Sequence, residues 1–327
     1  MVPVVVVLAA ILVAYLFGGF AALLTVAILI VLEVTLSFDN AVVNAKVLRD
    51  VPPIWRKRFL TWGIAVAVFG TRLVLPVLIV SATAFMSPWE IIRVALFDPA
   101  QYAALLQSAR YAIDAFGAAF LLLVAMNFFL DDAKTIHWIE TIEKRLAKLG
   151  ELRSLEIAVA MLALLCVSFF VPLAARAETL IAGLIGIELF IIMQTLMSSL
   201  SVKGASGSHA GARGLSLFIY LEVLDTAFSF DGVVGAFAIS TFIPAIVIGL
   251  GVGAYFVRSI TVYLVERRTL ESLAYLEHGA HWAIFGLSLA MFANLIVPVP
   301  EFVTGSIGII LVSAAYVSST AHLGRNA

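Results

Sequence analysis

Charged residues are scarce in this sequence, and that scarcity is the first constraint on its fold. Asp, Glu, Lys and Arg make up 13% of the 327 residues, about half the share that is usual in soluble domains. Mean hydropathy is +1.10, and apolar runs long enough to cross a hydrocarbon core of about 30 Å recur along the chain. These values exclude an ordinary soluble protein and predict an all-α polytopic membrane protein that contacts the lipid bilayer.

Several kinds of functional residue are also missing. The chain has one cysteine, Cys166, which excludes an internal disulfide and is expected to be a small packing residue. No phosphate-binding loop, nucleophile–base pair or cofactor fingerprint occurs, so we expect neither an enzyme nor a permanently bound cofactor. The net charge is −1 and no basic patch is present, so nucleic acid is not an expected partner.

Ten apolar segments are expected to form helices, within one membrane domain over residues 1–327. Their approximate bounds are 2–17, 20–48, 59–86, 112–130, 155–174, 179–200, 214–239, 241–265, 281–297 and 302–318. A further segment, 134–156, alternates charge at helical spacing and is predicted to be an interfacial cytoplasmic helix. The first segment has no basic n-region and no convincing cleavage site, so we interpret it as a retained helix rather than a signal peptide.

Lys and Arg are distributed unevenly between the two sides of this topology. Fifteen of the 20 fall on one side and three on the other, while Arg72 and Arg258 lie inside predicted helices. The positive-inside rule makes the basic side cytoplasmic and places both termini there.

Two stretches within the apolar helices resemble each other. Residues 33–40 read EVTLSFDN, and residues 222–236 read EVLDTAFSFDGVVGA. Aligning their Ser-Phe-Asp triplets places Glu33 opposite Asp225 and leaves Glu222 as an extra carboxylate. Each copy is followed by a helix that contains an arginine and then by a helix that contains a Phe-Gly pair.

The order of these features predicts an inverted-topology repeat of three helices. The two motif helices are the second and the seventh, so they cross the membrane in opposite directions. In such folds the two copies face each other near the midplane, where polar groups distant in sequence meet. The predicted layout has repeat 1 at about 20–130, repeat 2 at about 214–297, linking helices at 131–213 and a C-terminal helix at about 302–318.

The two motifs concentrate carboxylates inside apolar helices. An ionised carboxylate at the centre of a membrane helix costs about 2.5–3.5 kcal/mol on insertion scales, so each must be paired, protonated, hydrated or bound to a cation. Structural ion pairs with Arg72 and Arg258 are one interpretation, and extension of Arg258 to the interface is an alternative for that residue. A cation site is favoured because five clustered acids outnumber two arginines. The predicted ligands are Glu33, Asp39, Asn40, Glu222, Asp225 and Asp231, supported by Ser37, Asn44, Arg72, Ser229 and Arg258.

These ligand types indicate the ion and the mechanism. Carboxylate, amide and hydroxyl oxygens suit Mn²⁺, Mg²⁺ or Ca²⁺, whereas no histidine accompanies the motifs to favour zinc and no Cys or Met cluster favours copper. Protons compete for the same carboxylates, which predicts exchange of metal for protons. Asp39 lies six residues after Glu33, about 120° away on an unbroken helix, so we expect unwound turns near 37–40 and 229–233 that bring these groups together.

Two further groups of polar residues leave alternatives open. An interfacial polar cluster or a metal relay is expected at Glu277, His278 and His281. Cavity lining or hydrogen bonding between helices is expected of Asp114, Glu188 and Gln194.

The motifs ExTLSFDNAVV and ExxDTAFSFDGVVGAFAIS, each with a downstream arginine helix, resemble those of the TerC integral membrane family, named for tellurium resistance. YLEHGAHWAIFG and FGAAFLLLVAMNFFLDD resemble a bacterial branch of that family, and the similarity covers roughly residues 20–300. The resemblance implies a relation to the LysE exporter superfamily and metal-ion transport, with Mn²⁺ efflux favoured. It implies functional roles for Glu33, Asp39, Asn40, Asp225 and Asp231. Gly232 departs from the small hydroxyl residue that the resemblance leads us to expect there, which removes a ligand.

The expected function is therefore export of a divalent metal cation, Mn²⁺ foremost, by exchange for protons through facing carboxylates. The expected location is the bacterial cytoplasmic membrane, with metal ion and proton as partners and a homo-oligomer left open. The alternative is a membrane factor that assists assembly or metal loading of other proteins without transport. A sealed site would favour this alternative.

Overall fold

The computed structural model describes residues 2–49, 51–152, 154–202, 210–267 and 269–326, and within these ranges the regular structure is entirely helical. A π-helix at Val66–Val74 joins the third helix to the fourth. The α-helices are α1 (Val2–Leu36), α2 (Phe38–Arg49), α3 (Pro53–Ala65), α4 (Leu75–Ala84), α5 (Pro88–Phe97), α6 (Pro99–Ser108), α7 (Arg110–Phe129), α8 (Glu140–Leu149), α9 (Leu155–Ser168), α10 (Leu173–Val202), α11 (Ala210–Ile239), α12 (Ile243–Glu266), α13 (Thr269–Ser272), α14 (Leu276–Asn294) and α15 (Glu301–Asn326).

Six helical stretches of the described chain are long and apolar enough to cross a membrane. They are Val2–Leu36, Pro53–Ala84, Arg110–Phe129, Leu173–Leu196, Ile243–Glu266 and Phe302–Leu323. Each spans at least 20 residues, which matches a hydrocarbon core of about 30 Å. These spans and the all-helical structure confirm the predicted class, an all-helical multi-pass membrane protein.

Local backbone chemistry sets several boundaries in the first third of the chain. The helical path of α1 is interrupted at Gly19, where φ is 68° and ψ is −161°, a conformation that glycine adopts far more readily than other residues. The sequence did not predict the short helices α5 and α6. Both begin at a proline, and Ser87 forms a capping box with Glu90 at the start of α5.

The centre of the bundle is α7, which packs against α9, α10, α11 and α14. In the apolar stretch of α7, 83% of the residues are buried inside the protein. In the apolar stretch of α1, only 6% are buried. Cys166 on the peripheral helix α9 is exposed, so its predicted role as a packing residue inside the bundle is wrong. A helix that is apolar all round gives no periodic signal of which face turns inward.

The amphipathic helix expected within 134–156 is present as α8, and one buried carboxylate attaches it to α14. Glu143 accepts hydrogen bonds from His278 Nδ1 at 2.7 Å and Trp282 Nε1 at 2.9 Å, and from the backbone N–H of Trp138 at 3.1 Å. Burial alone would raise the pKa of Glu143, but the bonds from His278 and Trp282 outweigh it and lower the pKa from 4.5 to about 2. The charged form of Glu143 therefore stabilises the docked position of α8.

Replacing Glu143 with glutamine should loosen α8 from α14. A hydrogen bond to a charged group contributes about 1.5–3 kcal/mol, so amide hydrogen exchange in residues 140–149 should accelerate by about tenfold or more. The pKa of Glu143 is lower in the folded protein than in the unfolded chain. The stabilisation from the contact of Glu143 with α14 is therefore complete above pH 4.5 and is lost as pH falls toward 2. Glu140→Gln on the exposed face of α8 is the control, and equal exchange in both variants would contradict this account.

Candidate functional site

The two motifs differ in backbone continuity. In the first motif the helix is interrupted only at Ser37, and helical bonding continues across it, from Ser37 N–H to Glu33 O at 3.0 Å and from Ala41 N–H to Ser37 O at 3.2 Å. The expected unwound turn at 37–40 is thus a one-residue interruption. The expected break at 229–233 is wrong, because α11 runs through it as a continuous helix. Glycines permit a break, but unwinding would leave backbone groups unpaired in apolar surroundings.

Glu33, at the end of α1, forms a buried ion pair with Arg72 of the π-helix. The side chains are 1% and 3% exposed respectively. Ser37 Oγ donates to Glu33 Oε1 at 2.9 Å, and Arg72 Nη1 donates to the carbonyl of Ala67 at 2.7 Å. The carboxylate and guanidinium therefore satisfy each other away from water, which is the condition under which buried charges are tolerated.

The second motif holds two carboxylates on one arginine. Arg258 of α12 donates from its two Nη atoms to the two oxygens of Glu222, each at 2.9 Å, and from Nη2 to Asp225 Oδ2 at 2.9 Å. Its Nη1 also donates to the carbonyl of Phe59 at 3.1 Å, and the Phe59 ring centroid lies 4.3 Å from the guanidinium carbon. Since the Arg258 side chain is 2% exposed, the alternative that it extends to the interface is wrong.

Contacts between the two motifs connect the two ion-paired groups. Asn40 Nδ2 donates to Asp225 Oδ1 at 2.8 Å. Gly232, the residue aligned with Asn40, faces the other carboxylate, because a Cβ placed there would lie 3.2 Å from Glu33 Oε2. Position 40 therefore meets the acid of the second motif, and position 232 meets the acid of the first.

Glycines of α12 and α3 make room for these buried charges. A Cβ at Gly253 would lie 2.6 Å from both Cβ and Cγ of Glu33, and one at Gly63 would lie 2.6 Å from Glu222 Oε1. Neither glycine was predicted from the sequence, since many glycines occur in apolar helices and only the three-dimensional contacts distinguish these two.

Replacing Gly253 with alanine should lower thermal stability. Overpacking costs about 1–3 kcal/mol, which exceeds the gain of up to about 1 kcal/mol in helix propensity. The matched control is Gly251→Ala on the same helix, whose added Cβ would meet only the side chain of Val68, with Cγ1 at 3.2 Å and Cγ2 at 3.5 Å. Thermal unfolding in detergent micelles should show a lower midpoint for Gly253→Ala alone. Equal midpoints for the two variants would mean that the backbone does not hold Glu33 in place.

Four oxygen atoms in the motifs or directly after them are buried and have no hydrogen-bond partner in the described part of the protein. They are Asp39 Oδ1, Asn40 Oδ1, Asn44 Oδ1 and Ser229 Oγ. An unsatisfied buried polar atom costs about 1–3 kcal/mol, and native structures contain few of them. Each of these atoms would be stabilised by a donor or a cation.

The last helix also contributes to this region, which the sequence did not predict. Asp39 is 2% exposed, and a Cβ at Gly308 of α15 would lie 3.5 Å from its Oδ1. The only sequence signal for this contact is the small-residue spacing Gly305-Ser-Ile-Gly308, which is typical of close helix contacts in membranes.

Not all predicted ligands converge. Glu33 contacts Arg72 and Ser37, while Asp39 lies beside α15. The side chain of Asp231 lies outside the described residues. Within the described part of the chain, no group of three or more His, Cys, Asp or Glu side chains is arranged to hold a metal ion. The arrangement is thus a network of ion pairs beside unpaired oxygens.

The polar residues near the start of α14 form a cluster of separate contacts. Glu277 pairs with Lys46 of α2, and His278 bonds Glu143. His281 Nδ1 lies 2.9 Å from the carbonyl of Glu277, and its ring stacks 3.7 Å from Phe128. These contacts form a polar cluster, and among the described residues they bring no three such side chains together to hold a metal.

The remaining polar candidates mostly connect helices. Asp114 accepts from Asn294 Nδ2 at 2.8 Å, and Gln194 donates to Asn127 Oδ1 at 2.9 Å. Glu188 is exposed on α10. A cavity of about 270 Å³ is lined by Gln194, Asn127, Tyr220 and Lys46 among others. Gln194 therefore has both expected roles, because it lines a cavity and forms a hydrogen bond between helices.

Fold and site together define a helical, multi-pass membrane protein with a buried charge network between its acidic motifs. Residues 38–326 match the model of a family described as protein of unknown function (DUF475), and the chain belongs to that family. No curated protein matches the chain, and no solved structure does either. The family match begins at Phe38, directly before Asp39, and includes both arginines and the whole second motif.

Proposed function

We propose that the protein transports a divalent metal cation, and that it exports Mn²⁺ in exchange for protons. The observation that carries this proposal is the set of buried, unpaired oxygens of Asp39, Asn40, Asn44 and Ser229 beside two ion-paired groups. These are hard oxygen ligands of the kind that Mn²⁺, Mg²⁺ and Ca²⁺ prefer. The role is transport rather than catalysis, and the metal is cargo rather than a resident cofactor.

The charge of the network supports a divalent cargo. The motifs hold four described carboxyl groups, those of Glu33, Asp39, Glu222 and Asp225. Two guanidinium groups pair with all of them except Asp39, which leaves two formal negative charges (four minus two). One divalent cation or two protons would neutralise this excess, and low dielectric surroundings make neutralisation strongly favourable. Asp231 is proposed as a fifth carboxylate of the site.

The hydrogen bond between the motifs orients one proposed ligand. The Nδ2 atom of Asn40 is committed to Asp225, so the amide oxygen of Asn40 points away from that carboxylate and is available to a cation. The same bond connects the first motif to Arg258 through Asp225. A cation that drew on Asp225 would therefore compete with Arg258 and disturb both copies together, which is a means of coupling binding to a conformational change.

Several contacts support the proposed inverted repeat, while the ten-helix topology remains a proposal beside the six candidate spans. The aligned acids Glu33 and Asp225 each bond the arginine of their own copy, at 72 and 258. Across the copies, α1 and α2 pack on α12, and α11 packs on the π-helix. We infer a pseudo-two-fold arrangement of the kind that supports alternating access.

Access to the site is proposed through the cavity of about 270 Å³ near the end of α2. Its lining residues Lys46 and Val47 follow Asn44 along α2. By the positive-inside rule, the basic loops support a cytoplasmic location for this end and for both termini. The membrane is proposed to be the bacterial cytoplasmic membrane. The resemblance to the TerC family, and through it to the LysE superfamily, favours Mn²⁺ efflux.

Flux into proteoliposomes tests the proposal. With an Mn²⁺-quenched dye trapped in the lumen, quenching should be fast when the lumen is more acidic than the outside, because protons leave as Mn²⁺ enters. A protonophore should abolish this acceleration. Absence of Mn²⁺ entry under every gradient would overturn transport and favour the alternative, a membrane factor that assists assembly or metal loading of other proteins. The exposed side chains of Ile142 and Leu149 on α8 would offer such a factor a contact surface.

A further inference from the structure

A second cavity lies apart from the charge network, between α4, α7 and α10. Its volume is about 580 Å³, within the range of about 300–1,000 Å³ that is typical of small-molecule sites. Most of its lining is apolar, including Ile79, Ile113, Phe116 and Ile181. The acidic motifs contribute no residue to it, so it is not explained by the proposed transport.

One carboxylate stands out in this apolar lining. Glu178 of α10 lines the cavity, and its Oε1 atom is buried without a hydrogen-bond partner among the described residues. The neighbouring cation, Arg176, does not satisfy it, because Arg176 donates to the carbonyls of Ser168 at 2.8 Å and Phe169 at 3.2 Å. A carboxylate in apolar surroundings is costly unless a cation accompanies it.

We propose that this cavity binds a lipophilic monocation, with the positive charge on Glu178 and the apolar part along Phe116, Ile181 and the other apolar lining residues. The aromatic rings of Phe85 and Phe116 also line the cavity, and aromatic faces attract ammonium-type cations. Carboxylate, aromatic rings and an apolar wall together recognise a bulky organic cation.

The charge of the lining favours such a cation over a phospholipid. The lining includes one acidic residue, Glu178, and no Lys or Arg, so a lipid phosphate would have no partner there. Glu178 lies five residues after the start of α10, about 8 Å along the helix.

Equilibrium binding of radiolabelled tetraphenylphosphonium to the full-length protein in lipid nanodiscs tests this proposal. The wild type should bind it saturably. Glu178→Gln should weaken binding by about tenfold or more, and Ile181→Trp should abolish it by filling the cavity. The control Glu188→Gln, on the exposed face of the same helix, should bind like the wild type.

Radiolabelled tetraphenylborate, which has the same shape and the opposite charge, should not bind saturably when it is measured alone. Equal tetraphenylphosphonium affinity in Glu178→Gln, or saturable binding of tetraphenylborate by itself, would overturn the proposal and leave lipid chains as the occupant. Retention of binding by Ile181→Trp would place the site elsewhere and would equally overturn it. Because Glu178 makes no ion pair with the described residues, Glu178→Gln is expected to fold.

Discussion

Replacing Asp39 with asparagine should reduce Mn²⁺ flux by about 100-fold or more in proteoliposomes. The substitution keeps the size of the side chain but removes a charge and a proton-binding group from the centre of the proposed site. The lost attraction between a carboxylate and a divalent cation amounts to several kcal/mol even at an effective dielectric constant of about 20. Folding should survive, because Asp39 Oδ1 has no hydrogen-bond partner among the described residues.

Asp114→Asn is the matched control for this experiment. Asp114 is 4% exposed and Asp39 is 2% exposed, so the two substitutions make the same chemical change at similar burial. Asp114 accepts from Asn294 in a contact between α7 and α14, and the amide oxygen of asparagine accepts in the same way. The control should transport Mn²⁺ at the wild-type rate. Wild-type flux in the Asp39 variant would remove Asp39 from the mechanism.

Replacing Arg258 with glutamine should produce the largest loss of stability. Removal of one partner from a buried ion pair costs about 3–5 kcal/mol, because the remaining charges have no compensation. Here the substitution would leave both Glu222 and Asp225 without their guanidinium. Thermal or denaturant unfolding in detergent micelles measures the effect, and Arg267→Gln at the exposed end of the same helix is the control.

A second substitution separates charge compensation from packing. In the Arg258→Gln background, Glu222→Gln removes one of the two uncompensated carboxylates, so it should recover part of the lost stability. Neutralising Glu222 alone, with Arg258 intact, should cost less than the loss of Arg258, because Asp225 continues to pair with the arginine. If Arg258→Gln and Arg267→Gln unfold at the same point, the buried triad does not stabilise the protein.

Composition and motif spacing were sufficient to predict several features. Long apolar runs predicted membrane-spanning helices because hydrocarbon requires about 20 apolar residues per crossing. The scarcity of charge made Arg72 and Arg258 conspicuous, and their partners are the motif carboxylates because a buried arginine needs an acid. The amphipathic period of α8 distinguished it from the membrane spans.

Other features depend on contacts that a sequence pattern does not carry. The faces of uniformly apolar helices have no periodic signal, so the exposure of Cys166 and the approach of Gly308 to Asp39 were not predictable. The expected break at 229–233 failed because a helix with all its backbone bonds made is favoured in apolar surroundings. The helices α5 and α6 are capped at Ser87 and Asp98, a local signal that apolar runs do not carry.

The proposed cation site can be tested by locating bound Mn²⁺ through its anomalous X-ray scattering in crystals of the protein. A peak is expected beside α2, at about 2.0–2.6 Å from a carboxylate oxygen of Asp39, which is the range of hard cations with oxygen ligands. The peak should disappear in Asp39→Asn. Mn²⁺ bound only at the protein surface, with no density between the two motifs, would contradict the claim that the facing acidic segments form one cation site.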